Sequence, residues 1–65
     1  MRIIEYANEY NVNPTTSEKS PRREYYGNST DVKPSAHTGD WFIEEDTGTV
    51  YVYDEDSTSW VEFGA

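Results

Sequence analysis

The stretch DWFIEEDTGTVYVYD, residues 40 to 54, constrains this chain more than any other feature. Two runs of alternating side chains flank Thr47-Gly48, the pattern of two strands joined by a turn. Successive side chains of a strand point to opposite faces, and a half-buried hairpin normally keeps one of those faces polar. Here both are apolar. Gly48 is expected at positive φ, either in a two-residue primed turn or as the bulge glycine of a type I turn. The bulged register groups Trp41, Ile43, Tyr51 and Tyr53 against Phe42, Val50 and Val52. The primed-turn register instead groups Trp41, Ile43, Val50 and Val52 against Phe42, Tyr51 and Tyr53. In either case two faces need covers, and a chain of 65 residues has little material for both.

The rest of the sequence bears on what that cover is. Leu, Gln and Cys are absent, whereas Tyr occurs six times beside two Trp and two Phe. Strand formers therefore supply most of the apolar content, which predicts an all-β fold. Without cysteine there is no disulfide staple and no thiolate metal site, so contacts with a partner are the remaining means of stabilising so small a core.

Read along the chain, Ser59 to Phe63 forms a third strand after the polar bend EDSTS. The expected fold is thus a three-stranded antiparallel meander over about residues 40–63, preceded by an extended N-terminal arm. In RIIEYANEYNV, Ile3, Tyr6, Ala7 and Tyr10 fall at helical spacing, yet the segment has no N-cap and mediocre helix formers. One short helix or one short strand near residues 3–10 fits it equally. NPTTSEKSPRR, residues 13–23, reads as an extended linker, and Tyr25-Tyr26 can open a short strand. The organisation expected is an arm and linker over 1–24 and a small β domain over 25–65.

Charge divides the chain. Residues 1–33 hold five basic and five acidic residues, and residues 34–65 hold eight acidic and none basic, so the second half carries the whole −8. Such a surface repels phosphate and anionic lipid, which predicts no direct nucleic-acid partner and no membrane partner. MRII is followed at once by Glu5, and no apolar run reaches the length of a secretory signal or a membrane span.

The residues that could carry chemistry have plainer readings. His37 is the single histidine and lacks companions for a zinc site. Asp54-Glu55-Asp56 starts like a calcium loop, but Ser59 and Ala65 stand where the glycine and the closing glutamate belong. Glu44 or Glu45 with Asp54 would need a cleft to work as a glycosidase pair. Asp46 can accept N–H bonds inside its own turn, making Asp46, Thr47 and Gly48 a structural unit. Trp41, Tyr51, Tyr53 and Trp60 could form a sugar-stacking comb, although strand spacing favours packing. The expectation is a protein with no enzymatic activity, no cofactor and no metal. Ile3, Ile4, Tyr6 and Tyr10, with Arg22 and Arg23, are the expected partner-binding residues. Trp41, Phe42, Ile43, Val50, Tyr51, Val52, Tyr53 and Trp60 are expected to pack the sheet or an oligomer.

The segment from Gly27 to Glu62 carries a specific pattern. It reads Ser29-Thr30-Asp31-x-Lys33-Pro34, Gly39, Phe42-x-Glu44-x-Asp46-Thr47-Gly48, Tyr51-x-Tyr53-Asp54 and Trp60-Val61. This resembles a module of small head-fibre, head-decoration and other virion proteins of tailed bacteriophages. Where that module often has Lys after the turn glycine this chain has Thr49, its bend before Trp60 is longer, and residues 1–24 have no counterpart. The resemblance implies a structural role in a virion, a capsid or other virion protein as partner, and a homo-oligomer with a trimer favoured. The docking element would be the N-terminal arm. An acidic DNA mimic that inhibits a nucleic-acid enzyme and a small carbohydrate-binding module are the alternatives.

Overall fold

The computed structural model describes residues 1–64. Among them there is no helix, and five strands form one mixed sheet: β1 (Arg2–Val12), β2 (Lys19–Gly27), β3 (Trp41–Glu44), β4 (Val50–Asp54) and β5 (Ser59–Glu62). Spatial order follows chain order. The all-β expectation therefore holds, but the three-stranded meander is corrected to a five-stranded sheet of which β3, β4 and β5 are the antiparallel part.

The extended arm is corrected as well. Of the two readings of residues 3–10 the strand is the one found, longer than expected: Arg2–Val12 is an edge strand and not a free arm, paired antiparallel to β2 from Arg2↔Tyr26 to Val12↔Lys19. The run SPRR, read above as linker, lies inside β2. Two features reconcile it with strand structure. Pro21 lacks an N–H and sits opposite Tyr10, beside the irregularity that follows Tyr6↔Arg22. There β2 has a neighbour on one side only, because its pairing with β3 begins at Glu24. The intervening Asn13–Glu18 loop is ordered by Asn13, whose side-chain oxygen accepts from the N–H groups of Thr15 and Thr16.

β2 and β3 run parallel, with Glu24↔Trp41 and Tyr25↔Phe42 as partners. A parallel pair needs a crossover of about a dozen residues, and residues 28–40 provide it without a helix. This crossover is the cover for one sheet face. Phe42 is completely buried beneath it, Tyr25 and Tyr53 nearly so. Trp60 packs edge-on against all three rings at centroid distances of 5.0 to 5.9 Å, and its indole N–H donates to the Pro34 carbonyl at 2.9 Å. Lys33 reaches Glu44 at 2.8 Å with its ammonium over the Phe42 and Tyr51 rings. Asp46 accepts from both the N–H and the hydroxyl of Ser29, fastening the start of the crossover to the β3–β4 turn.

The hairpin register is set by Trp41↔Val52 and Ile43↔Val50. This yields the face grouping of the primed-turn alternative, but the connection is a four-residue loop. Thr49 accepts from the Glu44 N–H and Gly48 donates back to the Glu44 carbonyl. Gly48 has φ +75°, as the turn reading requires.

Candidate docking surface

The second face has no such cover among the described residues. By register and alternation, Ile4 and Tyr6 of β1 lie beside Arg22, Glu24 and Tyr26 of β2. Trp41 and Ile43 of β3 continue the face, followed by Val50 and Val52 of β4 and Val61 of β5. Apart from Glu24, these side chains are half-buried or exposed, and Val61 keeps 53% of its surface.

Planar groups run across it. The Arg22 guanidinium lies 4.5 Å from the Tyr6 ring centroid and 5.6 Å from that of Trp41, and Trp41 stacks on Phe63 at 6.1 Å. Because β4 separates β3 from β5, this last contact spans β4. The contacts run from Tyr6 through Arg22 and Trp41 to Phe63, which keeps 64% of its surface exposed. Arg, Trp and Tyr set among aliphatic neighbours is the composition of protein-binding hot spots.

Glu24 anchors the middle of the ladder. Its carboxylate accepts from the Tyr6 hydroxyl at 2.9 Å, from the Tyr26 hydroxyl at 2.7 Å and from Arg22. The Tyr26 hydrogen bond is the largest influence on its protonation; with Tyr6 and Arg22 it outweighs burial and holds the carboxyl below its usual range. Lys33 does the same for Glu44, Ser29 for Asp46 and His37 for Glu55.

A carboxyl whose folded value is depressed contributes stability that is complete above its unfolded value, about 4.3 for glutamate, and lost as pH falls through the folded value. Glu24→Gln is therefore expected to lower the melting temperature at pH 7 by roughly 5 °C, and the two melting curves to converge as pH falls below the usual carboxylate range. Parallel curves down to pH 3 would show that the carboxylate charge is not what holds the ladder.

The expected partner-binding residues fall on different surfaces. Ile4, Tyr6 and Arg22 join the open face, whereas Ile3 and Arg23 alternate to the crossover side, where Arg23 pairs with Glu5. Tyr10 lies beyond the β1 irregularity, 60% exposed. The expected packing residues also divide: Phe42, Tyr51, Tyr53 and Trp60 face the crossover, and Trp41, Ile43, Val50 and Val52 face outward. Trp41, Tyr51, Tyr53 and Trp60 thus do not form one comb. Sequence reasoning missed Glu24, Tyr26, Val61 and Phe63. The alternation Arg22, Glu24, Tyr26 was a legible signal once residues 19–27 were recognised as a strand. His37 bonds Glu55 at 2.9 Å, and no cluster of three metal-ligating side chains and no pocket occurs among the described residues.

Fold and surface together define a small all-β protein with one face closed by its own crossover and one face open. No protein-family model, curated protein or solved structure matches the chain.

Proposed function

We propose that this is a non-enzymatic structural protein of a bacteriophage virion, a capsid-associated decoration or head-fibre-type protein that docks through its N-terminal strand. The observation that carries the docking role is β1 itself. It is an 11-residue strand at the edge of the sheet, with Ile3, Tyr10 and Val12 each more than half exposed. A long edge with unpaired backbone groups and apolar side chains is a template for strand addition by another chain, and soluble proteins usually blunt such edges with charge or proline. The partner is a capsid or other virion protein. The virion assignment rests on the Asp46-Thr47-Gly48, Tyr51-x-Tyr53-Asp54 and Trp60-Val61 pattern. The acidic second half would face solvent and keep particles mutually repulsive.

Mass spectrometry of purified particles is expected to find the protein at a stoichiometry fixed by the shell. Ile3→Lys combined with Tyr10→Ala, both at exposed positions, is expected to weaken rebinding to stripped particles at least about tenfold with little change in melting temperature. Presence in infected-cell extract but absence from particles would overturn the virion assignment. Full rebinding of the double variant would remove β1 as the docking element.

A further inference from the structure

The open face and the β1 edge are different surfaces, and they fit different partners. We infer that the open face takes a basic amphipathic helix of another protein, laid across the strands with its apolar stripe against Trp41, Ile43, Val50, Val52 and Val61. The inference goes beyond the docking role of β1, which concerns the edge of the sheet and not this face.

Charge is the first argument. Glu24 and Asp54 belong to this face by alternation with Arg22 and Tyr26 and with Val50 and Val52, and Glu9 and Glu45 reach it through Arg22 and Arg2. Four carboxylates thus meet two guanidinium groups. Arg2 answers Glu45 at 3.3 Å, and Arg22 answers Glu24. Glu9, its side chain 57% exposed, keeps a longer contact of 3.7 Å with that same Arg22, and Asp54 has no basic partner among the described residues. No other cation is placed to help. Arg23 pairs with Glu5 and Lys33 with Glu44, and Lys19 alternates with Pro21 and Arg23 to the opposite side. The surplus of negative charge repels a second copy, anionic lipid and nucleic acid, and it attracts lysine and arginine.

Shape is the second. Trp41, Val52 and Val61 are cross-strand partners in one row and Ile43 and Val50 in the next, so the apolar stripe runs across the strands. Ile4 and Tyr26 extend the two rows toward β1 and β2. Because β3, β4 and β5 are four or five residues long, the stripe is two outward side chains deep. That is about 7 Å, against about 19 Å from the first strand to the fifth. A second sheet would overhang so narrow a stripe. A helix is about 10 Å wide and covers about 19 Å in about 13 residues, helix on sheet is a common layer arrangement, and an amphipathic helix against an apolar surface is a recurrent mode of recognition. The surplus acids lie along one long side. Asp54 follows Val52, and Arg22, which holds Glu9, precedes the Glu24↔Trp41 pair, so both carboxylates stand beyond Trp41 on the same side of the stripe. The basic residues of the helix belong there.

The probe is a peptide of about 14 leucine and lysine residues with leucine at helical spacing, titrated calorimetrically into the full chain. It is expected to bind with a Kd on the order of 10 µM at about 50 mM salt, with amide shifts concentrated at Trp41, Ile43, Val50, Val52 and Val61. A scrambled peptide of the same composition, and one with glutamate for lysine, are each expected to bind at least about tenfold more weakly. Val61→Asp changes an exposed side chain on an edge strand and adds negative charge, yet it is expected to weaken binding at least about tenfold because it removes an apolar contact. Glu9→Gln combined with Asp54→Asn is expected to weaken it about as much, and only at low salt. The near-ultraviolet signal of Trp60 is the folding control for each variant.

Equal affinity for the scrambled peptide, or unchanged or tighter binding by Val61→Asp, would reduce the effect to diffuse attraction toward a chain of charge −8 and overturn the site. Equal affinity for the glutamate peptide would overturn the basic partner, and shifts confined to β1 would overturn the open face as its seat. A dimer in sedimentation equilibrium that the lysine peptide does not dissociate would give the face to a second copy instead. Rebinding of stripped particles by Ile3→Lys with Tyr10→Ala reads the β1 edge alone, so the docking role and this site fail separately.

Discussion

Phe42→Ala is expected to abolish cooperative unfolding at room temperature, or to lower the melting temperature by about 20 °C where a transition survives. The ring is completely buried, lies 5.8 Å from Trp60 and touches the space above Gly27, where a Cβ would stand 3.0 Å from its Cζ. Truncating a buried phenylalanine costs about 3–5 kcal/mol, from lost transfer energy and from the cavity left behind. A chain of this length has a total stability of about 3–10 kcal/mol. The loss thus approaches the whole, because no second buried cluster of comparable size compensates among the described residues. Circular dichroism melts, with the near-ultraviolet Trp60 band as a probe of the ring cluster, provide the measurement. A shift of only a few degrees would mean that the crossover does not close over Phe42 in solution.

Asp40 is the second position where a single change is expected to be severe. Its side chain is completely buried, yet it carries out a structural task that no apolar residue can replace. One oxygen accepts from the Arg23 N–H at 3.0 Å and the Asn11 side chain at 2.9 Å, and the other from the His37 N–H at 3.0 Å. The carboxylate thereby ties β1 and β2 to the end of the crossover. Asp40→Ala leaves three donors without an acceptor and is expected to cost about 3 kcal/mol or more. Asp40→Asn keeps one oxygen but turns an amide N–H₂ toward one of the donors, so it is expected to fall between wild type and Ala. Urea titration ranks the three proteins, and amide exchange at Arg23 and His37 is expected to rise in both variants. Equal stability of wild type and Ala would refute the tie.

The two positions differ in how they could be read beforehand. Phe42 was legible as a packing residue, because alternation over Trp41 to Tyr53 is a local property and both registers set it on the face opposite Trp41 and Ile43. Asp40 was not legible in this role. Its donors come from positions 11, 23 and 37, and no local pattern connects them. Glu24 was missed for a similar reason: Tyr6 reaches it only when β1 lies beside β2, and Tyr26 shares its face only because residues 19–27 form a strand.

The amino-acid sequence by itself determined the strand character of residues 41–44, 50–54 and 59–62, the positive φ of Gly48 and two alternative divisions of side chains between faces. These follow from backbone sterics and a two-residue period, which act over a few positions. Tertiary structure alone decided between those divisions, joined residues 2–27 to the sheet as two strands and turned residues 28–40 into a cover. It did so through the parallel pairing of Glu24–Gly27 with Trp41–Glu44, whose partners lie 17 residues apart. Closing so long a segment costs entropy that only the assembled ring cluster, the Asp40 tie and the Ser29–Asp46 fastening together offset, so no one of the segments displays it alone.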